Sequence, residues 1–269
     1  MEFVLTALLV RTLCAAGRRA DAQELLLQFR SEIEQAGGPA GIAANIDAMH
    51  CRLSLMGEGA YAAAWNAGQP ADGGNILWTE SYRCLTKARC CIKEGAHHTA
   101  LLLLSRILDY ARRHRRTLDM LEALILIAIC RFRMRCADWQ THLSHAFVLG
   151  LRYRYTAVFS REGAALLPLL QNFDHSSIAP AYWEQILEGT VTQAGYYGRY
   201  LQPLNSPHLT RKELMVLRLV SQNKSNAEIS SLMNIKLPTV KTHLYSLYKK
   251  LEITNRGAAG EAARQLGLI

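Results

Sequence analysis

The feature that most limits what this chain of 269 residues can fold into is a repeat of helix breaks. Gly17, Gly57 and Gly95 lie 40 and 38 residues apart, and Arg135 continues the register 40 residues later without a glycine. Eight residues after each break comes an apolar side chain: Leu25, Trp65, Leu103 and Leu143. The stretches around the breaks, LLVRTLCAAG, MHCRLSLMGE, ARCCIKEGA and AICRFRMRC, read as ends of amphipathic helices, each followed by a second helix. A single helical hairpin cannot bury its apolar face alone, so hairpins at this period predict a stacked solenoid over residues 1–172. No strand alternation interrupts it. An irregular helical bundle with a coincidental repeat is the alternative.

Residues 209–269 follow another pattern. Thr210-Arg211-Lys212-Glu213 and Ser225-Asn226-Ala227-Glu228 are capping boxes, each announcing a helix start. Leu214, Leu217 and Val220 give the first of these helices an apolar face, and Ile229 with Leu232 does the same for the second. Asn234 closes the second helix, and Pro238 sits in the first turn of a third, where its missing amide proton costs nothing. On the third helix Val240, Leu244, Leu247 and Leu251 form one stripe. Thr242, Tyr245 and Lys249 point away from it, flanked by Lys241 and Ser246. A face of donors, one aromatic ring and cations suits a DNA major groove, although a helical hairpin with a solvated face would share the spacing.

These residues resemble the C-terminal domain of LuxR-type transcriptional regulators. The match rests on Leu209-Thr210-x-x-Glu213, Val216-Leu217, Ser225-Asn226-x-Glu228-Ile229, Leu232, Ile235, Thr239-Val240-Lys241-x-His243, Leu247, Lys250-Leu251 and Asn255-Arg256, through some 48 residues without a gap. The resemblance implies that Lys241, Thr242 and Tyr245 stand at base edges, that Thr239, His243, Lys249 and Lys250 lie near phosphates, and that Asn226 begins a helix bracing the backbone. Lys236 replaces a usual capping Ser and Asn223 a usual Gly. The hairpins look like tetratricopeptide units, without their 34-residue period or full Trp, Gly, Tyr pattern. Helical repeats before such an end resemble MalT-like regulators, and Gly150-Leu151-x-x-Arg154 to Glu162-Gly163 with Leu166-Leu167 looks like the closing segment of their superhelix. The ATP-binding domain of those regulators has no counterpart, since no G-x-x-x-x-G-K-[ST] occurs; the chain reads as a short form or as part of a longer one.

Charge agrees with this division. Residues 207–269 hold ten Lys and Arg against four Asp and Glu, which is +6 of the total +9. Seven cysteines, an odd number in apolar helical text, suggest reduced buried thiols and a cytoplasmic setting. Glu2 and Arg11 argue against a secretory signal, and the apolar run Ala123–Cys130 is far short of the roughly 20 residues that span a bilayer. Cys90-Cys91 with His97-His98 lacks metal-ligand spacing, and Arg112-Arg113-His114-Arg115-Arg116 reads as a helix end rather than a second nucleic-acid patch. Gly68 to Gly74 reads as a loop. No catalytic set, metal or cofactor site can be nominated.

The expectation is therefore an all-α regulator: a helical-repeat (TPR-like) sensor or interaction domain over 1–172, a helix and linker over 173–206, and a four-helix helix-turn-helix domain over 207–269. Its expected partners are double-stranded DNA, a second copy through the last helix (Ala258, Ala259, Gly260, Ala262, Ala263), and a small-molecule or protein effector on the repeats, where His50, Arg52, Tyr82, Arg83 and Lys87 would place polar groups. The resemblance also admits RNA polymerase as a partner, with no membrane involved. A helical scaffold without specific DNA binding is the alternative. An N-terminal phosphoacceptor domain is disfavoured, because the alternating βα text it needs is missing.

Overall fold

Four helical hairpins follow the repeat. In the computed structural model α1 (Glu2–Ala15) pairs with α2 (Arg19–Gln35), α3 (Ala40–Leu55) with α4 (Ala60–Ala67), α5 (Ser81–Lys93) with α6 (His97–Arg113), and α7 (Thr117–Arg133) with α8 (Trp139–Arg152). Short α9 (Ala157–Ser160), α10 (Gly163–Gln171) and α11 (Pro180–Tyr196) complete the first of two units, Met1–Leu204; the second is Asn205–Ile269. The structure describes residues 2–57, 59–70, 80–202, 209–251 and 253–265, without the side chains of 211 and 261–265. Among the described residues there is no strand, and no helix is long and apolar enough to cross a membrane. Residues 71–74 of the expected loop, and Pro203, Asn205, Ser206 and Pro207 of the expected linker, lie outside them.

The turns explain the repeat. A left-handed residue stops the helix, and the next amide closes the end by bonding a carbonyl five residues back, as Arg18 does to Leu13 (2.8 Å), Ala96 to Cys91 (2.8 Å) and Cys136 to Arg131 (2.9 Å). Gly17 and Gly95 supply φ +77° and +79° there, and Arg135 adopts +58° in the same role, at a cost of about 1–2 kcal/mol to a residue with a Cβ. The second repeat differs, because its left-handed residue is Gly59 rather than Gly57.

The first helix of each later hairpin is enclosed by its neighbours, the second only on one face. Leu121 to Cys130 of α7 are all buried, whereas α6 buries the stripe Ala100, Leu103, Leu104, Ile107, Leu108 and Ala111. This is why Ala123–Cys130 reads as an unbroken apolar run: a helix surrounded on all sides needs no polar face. Leu103 and Leu143 are buried, and Leu25 and Trp65 pack against the core as half-buried side chains.

The expected linker helix is packed rather than free. Tyr182, Trp183 and Ile186 bury α11 against α9 and α10, and Tyr182 donates to the Tyr155 carbonyl (2.7 Å). Farther along, Gln193 and Tyr197 bond the carbonyls of Ala15 (2.9 Å) and Cys14 (2.8 Å), so the last helix caps the open end of the first. The unit's ends meet. Pro168 inside α10 removes the bond to the Ala164 carbonyl, and the Gln202 side chain takes it instead (3.4 Å). Two glycines in the expected closing segment sit in tight places: a Cβ on Gly150 would lie 2.5 Å from the Tyr182 hydroxyl, and one on Gly163, whose φ is +31°, would lie 3.1 Å from the Ala194 backbone.

At the centre of this unit Arg89, 2% exposed, donates to Glu122 (3.0 Å), to Glu162, to the Tyr200 hydroxyl (3.0 Å) and to the Leu85 carbonyl (3.1 Å). Burial would push the Glu122 carboxyl up, but Arg52, Arg89, Arg161 and Arg11 together hold it well below the usual range. Six of the seven cysteines are buried and all are free; burial pushes the Cys130 thiol up to about 12, far from a reactive thiolate. Of the arginine run, Arg115 occupies a left-handed turn (φ +54°), and Arg116 pairs with Asp119 and bonds Ser81 (3.2 Å).

Candidate nucleic-acid interface

The second unit contains α12 (Arg211–Ser221), α13 (Asn226–Met233), α14 (Leu237–Lys250) and α15 (Arg256–Gln265). Both capping boxes form: the Thr210 and Ser225 hydroxyls accept from the amides of Glu213 and Glu228 (each 3.2 Å), and the two carboxylates accept from the amides of Thr210 and Ser225 in return (2.6 and 2.7 Å). Asn223 and Asn234 take left-handed φ of +59° and +51°, so Asn223 performs the turn that a glycine was expected to make. Lys236 offers α14 no side-chain cap, and Pro238 lies in the first turn.

Val216, Leu217 and Val220 of α12, Ile229 of α13, Val240, Leu244 and Leu247 of α14 and Ala259 of α15 form one small core. Two expectations change. Leu232 is 62% exposed, and Met233, one turn beyond Ile229, faces the core in its place. On a helix of eight residues both spacings are compatible with the text, and only the neighbours decide. Ala259 and Gly260 are buried within the unit against α12, so part of the small-residue face expected to pair two copies is already used; the side chains of Ala262 and Ala263 lie outside the described residues.

With the core stripe of α14 turned inward, Thr239, Lys241, Thr242, Tyr245 and Lys249 are exposed, Tyr245 to 74%. The Thr242 hydroxyl rests on the Pro238 carbonyl (3.1 Å) and keeps its acceptor capacity outward. Three other expected site residues are engaged inside the unit or half-buried in it. The Lys250 ammonium donates to both oxygens of Glu213 (2.9 and 2.8 Å), where Ser246 also donates (2.6 Å), so α12 and α14 are clasped by a carboxylate 3% exposed. Asn226 accepts from Arg256 (2.9 Å), which also reaches the Lys224 carbonyl and ties the start of α15 to that of α13. His243 is half-buried, and its Nε2 has no hydrogen-bond partner among the described residues. Sequence reading missed the clasp, because Glu213 was already accounted for as a cap and its partners are 33 and 37 residues away.

Residues 207–263 match the family described as bacterial regulatory proteins, luxR family. The second unit carries a LuxR-family domain. Over 234 residues the chain is 26% identical to a protein named HTH-type transcriptional regulator MalT, from Cronobacter sakazakii (strain ATCC BAA-894), an alignment covering 79% of this chain and 26% of that protein. The chain thus spans about a quarter of the length of that relative. No solved structure matches the chain. In the LuxR-family domain, the helix matching the expected recognition helix is α14, and the face it leaves to solvent is Lys241, Thr242, Tyr245 and Lys249.

The clasp has a measurable signature. Burial would raise the Glu213 carboxyl, but the bonds from Lys250, Ser246 and Thr210 hold it down at about 2, against 4.5 for a free glutamate. A carboxyl depressed on folding contributes stability above its unfolded value, and that contribution disappears as pH falls from about 4.5 toward 2. The protection of α12 and α14 amides from hydrogen exchange in the full chain, taken relative to the intrinsic rate at each pH, should therefore fall over this range. Glu213→Gln should start less protected at neutral pH and respond less to acid; an unchanged acid response would show that the ion pair contributes nothing.

Proposed function

We propose that this chain is a sequence-specific DNA-binding transcriptional regulator, with α14 reading the major groove and the helical-repeat unit receiving the signal. The observation that carries it is the exposed face of Lys241, Thr242, Tyr245 and Lys249 on the third helix of a LuxR-family domain. In this reading Lys241, Thr242 and Tyr245 meet base edges, and Thr239 and Lys249 meet phosphates. Lys250 and Asn226 then act chiefly by positioning, through Glu213 and Arg256. The test is selection of bound fragments from random DNA by the full chain at two salt concentrations. Recovery of a common motif that survives the higher salt supports the reading, and fragments without a motif at either salt would refute it.

Binding as a homodimer follows from the same reading, with two half-sites about one helical turn apart. Ala262→Glu should weaken binding to a two-site operator far more than to a half-site. Equal loss on both, measured by titration, would remove the dimer. Control by an effector would appear as a change in operator affinity, and operator must tighten effector binding by the same factor.

A further inference from the structure

We propose that the inner cavity of the repeat unit binds a small organic anion, a carboxylate or phosphate group carried on an apolar body. This deepens the reading of that unit as the receiver of an effector. The cavity opens where α1, α3 and α5 face the closing helices. Val10, Met49 and Leu53 give it apolar lining, and Arg11, Arg52, Arg89 and Arg161 are among its other lining residues.

Only two carboxylates answer them among the described residues. Glu162 is occupied by Arg89 and by the Tyr200 hydroxyl (3.1 Å). Glu122 meets Arg89 at 3.0 Å but Arg52 only at 3.4 Å and Arg161 at 3.8 Å. Arg11, exposed at the mouth of the cavity, has no carboxylate within ion-pair distance among the described residues. Arg52 is held in place by Thr86 (2.7 Å), by the Tyr82 carbonyl (3.3 Å) and by the Tyr82 ring, 3.8 Å from its guanidinium carbon. Two positive charges are thus in excess in a cavity with apolar lining. Guanidiniums match carboxylate and phosphate oxygens with paired N–H donors, so an anion would relieve their mutual repulsion while its body covers the apolar lining. Of the five side chains expected to line this surface, Arg52 and Tyr82 do so. Arg83 pairs with Glu80, Lys87 bonds the Gln69 carbonyl (3.2 Å), and His50 lies against Tyr61.

The test is calorimetric titration of the full chain, without DNA, with inorganic phosphate, hexanoate and hexyl phosphate, and with hexanol as the neutral control. At least one anion should bind and hexanol should bind at least about tenfold more weakly. The double variant Arg11→Gln, Arg161→Gln should lose about tenfold or more in anion affinity, while its far-ultraviolet circular dichroism shows the repeat unit still folded without ligand. No anion binding in the millimolar range, equal binding of hexanol, or unchanged affinity in the variant would each overturn the proposal. Anion binding that leaves operator affinity unchanged would keep the site and remove the effector reading. Operator affinity responding to another molecule, with no anion bound, would do the reverse.

Discussion

Arg89→Ala should destabilise the helical-repeat unit by about 3–5 kcal/mol, the usual result of removing one partner from a buried ion pair. Arg89 bonds two carboxylates, a tyrosine hydroxyl and a backbone carbonyl while 2% exposed. Without it Glu162, itself 2% exposed, would keep only the Tyr200 hydroxyl, whereas Glu122 would keep Arg52 and Arg161. The penalty therefore falls mainly on Glu162. Urea unfolding of the full chain should show an early transition for this unit in Arg89→Ala, and Arg89→Met combined with Glu162→Gln should recover part of the loss. If the single variant unfolds at the wild-type urea concentration, the network does not hold the inner helices together.

Alanine at Lys241, Thr242 or Tyr245 should cost about 1–3 kcal/mol in specific DNA binding each and relax the preference at particular base pairs. Lys249→Ala should weaken all sequences alike and reduce the salt slope by about 1, as expected when one phosphate is no longer neutralised. Lys250→Ala should differ from both. Its ammonium belongs to the Glu213 clasp, so the variant should lose stability in α12 and α14 before it loses any sequence preference. Titrations with the selected motif and with unrelated DNA at two salt concentrations separate the three behaviours. Unchanged specific binding in both Lys241→Ala and Tyr245→Ala would mean that α14 is not the recognition helix.

Much of this was legible because it depends on residues close in the chain. The helix starts at Thr210 and Ser225 and the breaks at Gly17 and Gly95 are set within a few residues by backbone hydrogen bonds that caps and left-handed turns supply. The inward stripe of α14 follows from helical period alone, and with it the outward face of Lys241, Thr242, Tyr245 and Lys249. What the sequence by itself determined was thus the helices, their order and the polarity of their faces. Tertiary structure decided what periodicity leaves degenerate: Met233 rather than Leu232 in the core, and α11 as a closing helix bonded to Cys14 and Ala15 rather than a free linker. It also decided which charges are spent inside. Lys250 and Lys249 are neighbours in the text, yet one is tied to Glu213 and the other is exposed, and Arg89 meets Glu162 from 73 residues away. Long side chains find partners through space, and no local pattern encodes a distance that exists only after the helices have packed.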